Sequence, residues 1–124
     1  MGKKDLTILI VDDTAENITA LSAILSEFGK IKAATSGEKA LKICAAEDKP
    51  DLIFLDVLMP EMNGWTVCRT LKADPSTQSI PVIFVTSLTN GIDMIHAERI
   101  GSAGYITKPL EPEKTRELVR SLIG

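Results

Sequence analysis

Three short apolar runs in this 124-residue chain each end in residues that can do chemistry. Ile8-Leu9-Ile10-Val11 leads into Asp12 and Asp13, Leu52-Ile53-Phe54-Leu55 into Asp56, and Tyr105-Ile106-Thr107 into Lys108 and Pro109. If the runs are parallel strands, three carboxylates and one ammonium meet at one sheet edge. Like charges about 4 Å apart repel by on the order of 4 kcal/mol at an effective dielectric of about 20, so a protein with only a structural task avoids such a grouping. A divalent cation relieves the repulsion, and carboxylates are the hard oxygen ligands that Mg2+ takes in small number while keeping several waters.

Each residue also has a plainer use. Asp13 stands where an aspartate caps the free N–H groups of a helix, with Glu16 three residues on, although three acids together favour a metal over a cap. Asp56 ends an apolar strand, either as a hydrogen-bonded terminus or as a carboxylate nucleophile able to form an acyl phosphate. Lys108 is an ordinary solvated lysine or, fixed by Pro109 in a tight turn that tolerates a cis bond, a cation held over a cleft. The Thr86 hydroxyl donates to a phosphoryl oxygen or satisfies a strand end. Met59-Pro60 and Gly64 shape the loop after Asp56, where backbone can approach a metal or phosphate closely.

The elements that must position these residues alternate regularly. Strands are predicted at Leu6 to Val11 (β1), Ile31 to Ala34 (β2), Leu52 to Asp56 (β3), Val82 to Thr86 (β4) and Gly104 to Thr107 (β5). The first, third and fourth are nearly continuous Leu, Ile, Val and Phe, as strands covered on both faces require. Ala15 to Phe28 (α1) places Ile18, Leu21, Leu25 and Phe28 on one helical face, and Gly29 follows as a stop. Thr35 and Glu38 have capping-box spacing, which starts α2 near Ser36. Asn63 caps α3 from Gly64 to Ala73, ended by Asp74-Pro75. A weaker pattern covers about Gly91 to Ile100 (α4), and Pro112 opens α5, whose Leu118, Val119 and Leu122 face inward.

Five alternating β and α units predict an α/β, doubly wound five-stranded parallel sheet with five flanking helices and right-handed crossovers. Ligands of such sheets sit at the carboxyl ends of the strands, where connections leave in opposite directions. In the flavodoxin-like order 2-1-3-4-5 that point lies between β1 and β3, which end in Asp12-Asp13 and Asp56.

Bulk composition narrows the class. A hydrophobic share of 44% with 25% charged residues describes one globular domain over residues 1–124, and no stretch is long and apolar enough for a bilayer. Met1-Gly2-Lys3-Lys4-Asp5 has no secretory h-region, and Leu6 stands where a myristoylation signal needs Ser or Thr. A net charge of -3 and a pI near 5.1 argue against direct nucleic-acid binding, which rests on clustered Lys and Arg. Cys44 and Cys68 have no metal spacing and no reactive flanks, which suits reduced, partly buried thiols in the cytoplasm.

Asp12-Asp13, Asp56-Val57-Leu58-Met59-Pro60 with Met62-Asn63-Gly64, Thr86-Ser87, and Tyr105-Ile106-Thr107-Lys108-Pro109 occur in an order that resembles a response-regulator receiver domain of two-component signalling. The resemblance covers about Leu6 to Ile123. It implies that Asp56 accepts a phosphoryl group, that Asp13 is a direct Mg2+ ligand with Asp12 the other acid, often through water, and that Leu58 contributes only its backbone carbonyl. It implies further that Lys108 pairs with phosphoryl oxygens, that Thr86 moves toward them once Asp56 is modified, and that Tyr105 follows inward to repack the α4-β5-α5 face. The implied partners are a histidine kinase or phosphotransfer protein, a downstream protein or output domain, and a second copy through α4-β5-α5. The chain is expected either to stand alone or to be a piece of a longer regulator. Ser102 and Gly104 replace the Ala and Asp of many members, and the long connection from Ala73 to Ser79 resembles receivers linked to diguanylate cyclases or hybrid kinases.

Other readings fit less well. A receiver-like interaction module that is never phosphorylated predicts a damaged acid cluster or a missing lysine, and both are intact. A flavodoxin needs a hydroxyl-rich phosphate loop after β1, where the chain has Asp12 and Asp13. No P-loop or dinucleotide glycine motif follows any strand. A haloacid-dehalogenase-type phosphatase wants a second acid two residues after the nucleophile, where Leu58 stands. His96, the only histidine, reads as a helix-surface residue, not a phosphodonor.

Overall fold

A computed structural model describes residues 6–123; the basic Met1–Asp5 segment and Gly124 lie outside the described residues. The element order is β1 (Leu6–Val11), α1 (Ala15–Leu25), β2 (Gly29–Ala34), α2 (Gly37–Ala45), β3 (Leu52–Leu55), α3 (Gly64–Ala73), β4 (Val82–Thr86), α4 (Gly91–Arg99), β5 (Gly104–Thr107) and α5 (Pro112–Ile123). All strand pairs are parallel and the order is β2-β1-β3-β4-β5, as the alternation predicts.

The central strands are covered on both faces, and side-chain alternation sorts them between two cores. Ile8, Ile10, Leu52, Phe54, Ile83 and Val85 pack with Leu21 and Leu25 of α1 and Val119 of α5. Leu9, Val11, Ile53, Leu55, Val82 and Phe84 pack on the opposite side with Ala40 and Cys44 of α2, Val67 and Cys68 of α3, and Ala97 of α4. The continuous Leu/Ile/Val/Phe runs therefore have no polar face to alternate with.

Several boundaries differ from the pattern in the sequence, each for a local reason. The last turn predicted for α1 is a 3-10 helix over Ser26–Phe28, and β2 begins at Gly29 without a loop. Gly29 permits this: its φ is 154°, and a β-carbon there would overlap the carbonyl oxygen of Leu6 in β1. The α2 cap is Ser36, whose Oγ accepts from the Lys39 N–H at 3.2 Å, so the expected Thr35/Glu38 box is displaced by a residue nearer the helix. Asn63 caps α3 as expected, accepting from the Thr66 N–H at 3.1 Å. Strand β3 ends at Leu55, leaving Asp56 just beyond it.

Both cysteine thiols are free and buried, more deeply than the pattern implied. Burial pushes the Cys44 thiol up to about 11 and raises that of Cys68, which leaves both unreactive. No described helix is long and apolar enough to cross a membrane.

Candidate functional site

Sheet register assembles the site. Val11 is paired with Leu55, and the Asp56 N–H donates to the Val11 carbonyl at 3.0 Å, so Asp12 and Asp56 each stand one residue past adjacent strand ends. Asp12 is tied on its other side, its N–H donating to the Ala34 carbonyl at 3.1 Å. Thr86 is paired with Thr107, and the Lys108 N–H donates to the Thr86 carbonyl at 2.9 Å. Lys108 thereby leaves the sheet at the same end as the acids, across a cis bond to Pro109.

One carboxylate oxygen from each of Asp12, Asp13 and Asp56 lies within 4.8 Å of the others. Lys108 Nζ is 3.2 Å from Asp12 Oδ2 and 3.4 Å from Asp56 Oδ2. Asp12 and Asp56 are 1% and 6% exposed, whereas Asp13 faces solvent. The two buried carboxylates share one ammonium and the accessible Asp13 adds a third acid beside them, so the cluster retains an excess of negative charge. Burial is the main influence on Asp56 and raises its pKa; Lys108 opposes this, Asp12 reinforces it, and the Leu58 N–H, donating to Asp56 Oδ1 at 3.3 Å, lowers it.

Asp13 is not the cap of α1. Thr14 holds that position without a side-chain cap bond, and the neighbouring Asp12 takes up the local donors: its Oδ1 accepts from the Thr14 N–H at 2.9 Å and from Asn17 Nδ2 at 3.3 Å. Asp12 Oδ2 then faces Lys108, and Asp13 is left available. The donor set is all oxygen, close-spaced and anionic, which fits a hard cation such as Mg2+.

The loop after Asp56 folds back tightly. Glu61 adopts a left-handed φ of 66°, and the Gly64 N–H donates to the Val57 carbonyl at 2.9 Å. A β-carbon on Gly64 would overlap the Asp56 carbonyl oxygen and crowd Val57 Cα. The close approach at this glycine is to the backbone of Asp56 itself. Gly64→Ala is expected to cost about 3 kcal/mol through overpacking against main chain that cannot turn aside, measured as a lowered midpoint of denaturant unfolding. An unchanged midpoint would mean that the loop yields easily.

Leu58 is 54% exposed, its side chain outside the core. Thr86 is buried at the end of β4; its Oγ1 accepts from the Leu88 N–H at 3.3 Å, and its side chain makes no hydrogen bond to Asp56 or Lys108 among the described residues. Tyr105 already reaches the β4–α4 loop, its hydroxyl donating to the Leu88 carbonyl at 2.9 Å. Leu88 therefore joins Thr86 and Tyr105 through one residue's backbone. Nothing in its side chain announces this, because both bonds use main-chain atoms. Asn17 was likewise missed; it reads as an ordinary polar helix residue until Asp12 is placed beside it. His96 is half-buried against Trp65, not fully on the surface.

The architecture and the cluster at its β1/β3 switch point define a class: doubly wound α/β domains with an acidic site at the carboxyl edge. The sequence profile of the response regulator receiver domain matches residues 8–120. Protein PilH of Pseudomonas aeruginosa is 34% identical over 119 residues, covering 94% of this chain and 97% of PilH. Response regulator PleD of Caulobacter vibrioides is 44% identical over 116 residues, 93% of this chain; the chain spans about a quarter of PleD, with 25% of its length covered. The crystal structure of the signal receiver domain of a signal transduction histidine kinase from Syntrophus aciditrophicus matches with a TM-score of 0.84 at 36% identity, covering 95% of this chain and 89% of that one. The chain belongs to the response regulator receiver domains of two-component signalling, whose members are signalling phosphoacceptors.

Proposed function

We propose that Asp56 accepts a phosphoryl group from a histidine kinase or phosphotransfer protein, with Mg2+ held by Asp12, Asp13, Asp56 and the Leu58 carbonyl. The observation that carries this reading is the placement of Asp56: a nearly buried carboxylate 3.4 Å from Lys108, with two further acids beside it and no other ion-paired cation among the described residues of the cluster. An Asp56 oxygen attacks phosphorus, the bond to the donor's imidazole nitrogen breaks, and that nitrogen takes a proton. Phosphoryl transfer asks mainly for positioning and charge neutralisation. Bound Mg2+ supplies neutralisation of phosphoryl oxygens; Lys108 supplies the rest, already aimed at the accepting carboxylate.

The product carries about -1.5 to -2 charge and new acceptor oxygens, enough to bias a bistable loop. Thr86 turns its hydroxyl toward them and releases the Leu88 N–H. The Leu88 carbonyl holds Tyr105, so the change reaches β5 and the α4-β5-α5 face. That face has room for partners: cavities of about 450 Å3 beside Tyr105, Glu111 and Leu118, and about 310 Å3 beside Met94, Glu98 and Tyr105. It serves a downstream protein, an output domain or a second copy, and the -3 charge disfavours direct nucleic-acid contact. One domain spans the chain, and the site of action is the cytoplasm.

Incubated with Mg2+ and acetyl phosphate, the wild-type chain is expected to gain a single phosphoryl group by intact mass, and to gain none when EDTA replaces Mg2+. A wild type that stays unmodified overturns the reading and favours an interaction module with a vestigial acid site.

A further inference from the structure

The switch proposed above runs through Thr86, Leu88 and Tyr105, which lie in β4, the loop after it and β5, the elements that flank α4. Helix α4 is also tied to the body from its other side. Of its residues only Ala97 is fully buried, while Ile92, Met94 and Ile95 are 78%, 43% and 53% exposed. Toward β5 it leaves the cavity of about 310 Å3. Toward α3 it makes side-chain contact: the His96 ring meets Trp65 edge-on, with centroids 4.6 Å apart at 78°. Beyond its last turn, the Ile100 carbonyl lies 3.9 Å from Cys68 Sγ of α3.

Trp65 is well placed to carry information. It directly follows Gly64, whose N–H is bonded to the Val57 carbonyl and whose α-carbon is pressed on the Asp56 carbonyl so closely that no side chain fits. The first turn of α3 is therefore referenced to the main chain of Asp56, with Asn63 fixing its start. From there the Trp65 ring meets Phe84 of β4, centroids 4.9 Å apart, as well as His96 of α4. A displacement of the Asp56 loop must move Trp65 or break the Gly64 contact, because packed aromatic groups shift between discrete arrangements and do not deform freely.

We infer that Trp65 is a positioning residue through which the state of Asp56 sets the position of α4, by way of His96 and not through the Leu88 backbone that joins Thr86 to Tyr105. The inference rests on the phosphoacceptor reading. It predicts a division of response: β5 follows Thr86, and α4 follows Trp65.

The test uses the full chain, isotopically labelled, with Mg2+ and acetyl phosphate. Intact mass reports loading, and backbone amide shifts of Gly91–Arg99 and of Gly104–Thr107 report α4 and β5. His96→Ala and Trp65→Leu are expected to be loaded like the wild type and to keep the β5 response, yet to lose most of the α4 response. His96 is only half-buried, so its variant folds even where Trp65→Leu does not. A merely structural role for the aromatic contact would change both segments alike, before and after loading. Loaded variants whose α4 responds in full, or whose α4 and β5 responses fall together, overturn the inference and leave the phosphoacceptor reading standing. A wild type that takes up no phosphoryl group overturns that reading, and the inference falls with it.

Discussion

Asp56→Asn is expected to take up no phosphoryl group where the wild type is loaded and, without metal, to be more stable at neutral pH by about 1–3 kcal/mol. The first result follows from removing the proposed nucleophile. The second follows from the direction in which the site displaces its pKa. Burial raises the Asp56 carboxyl, and the Lys108 ammonium opposes that effect without cancelling it. A raised folded-state pKa means that the native chain holds the proton more tightly than the unfolded chain. Stability then falls as pH rises from the ordinary aspartate range through the raised value, and the full cost is present above it. Asparagine carries no charge, so the variant lacks this contribution to the pH slope. Urea unfolding in EDTA at a series of pH values measures it. A variant less stable than the wild type at neutral pH would show that the Lys108–Asp56 attraction outweighs burial.

Lys108→Met should have the opposite effect on stability and a large one on rate. Lys108 is the sole ammonium within reach of both Asp12 and Asp56 among the described ion pairs, and its side chain is 22% exposed. Its removal strands two buried carboxylates, at a cost of about 2–4 kcal/mol without metal. Mg2+ should recover part of that loss by mass action, since only the native chain gathers the three acids. Loading of Asp56 should slow by about 100- to 1,000-fold, the scale set by losing one preorganised charge that faces developing negative charge. A time course of phosphoryl uptake by intact mass, with Mg2+ saturating, separates the two effects. Loading at the wild-type rate would assign Lys108 to stability alone.

Much of this was legible from residue order because the strands are buried on both faces. Ile8 to Val11 and Leu52 to Leu55 have no polar alternation to confuse the pattern, and a parallel sheet follows from that together with the helices between them. The acids were readable because they follow such runs, and the lysine because it follows the last strand directly. The failures lie where main-chain atoms decide. The Gly29 approach to Leu6 starts β2 two residues early, Ser36 outcompetes Thr35 by one position, and Asp12, not Asp13, gathers the donors at the start of α1. Leu88 was invisible for the same reason, since its side chain takes no part in the bonds that join Thr86 to Tyr105. Trp65 and His96 are 31 positions apart in the numbering and belong to different helices, so no periodicity links them.

The contact between Lys108 and Asp12 joins residues 96 positions apart, and the one with Asp56 joins residues 52 apart. Their order in the chain has a consequence for synthesis. The acids emerge first and the balancing ammonium last, just past the edge strand that closes the sheet. A nascent chain that has paired β1 with β3 but still lacks β5 holds its negative cluster without its internal cation. Completion of the site thus coincides with completion of the sheet, and a partly made receiver is poorly equipped to take up a signal before it is whole.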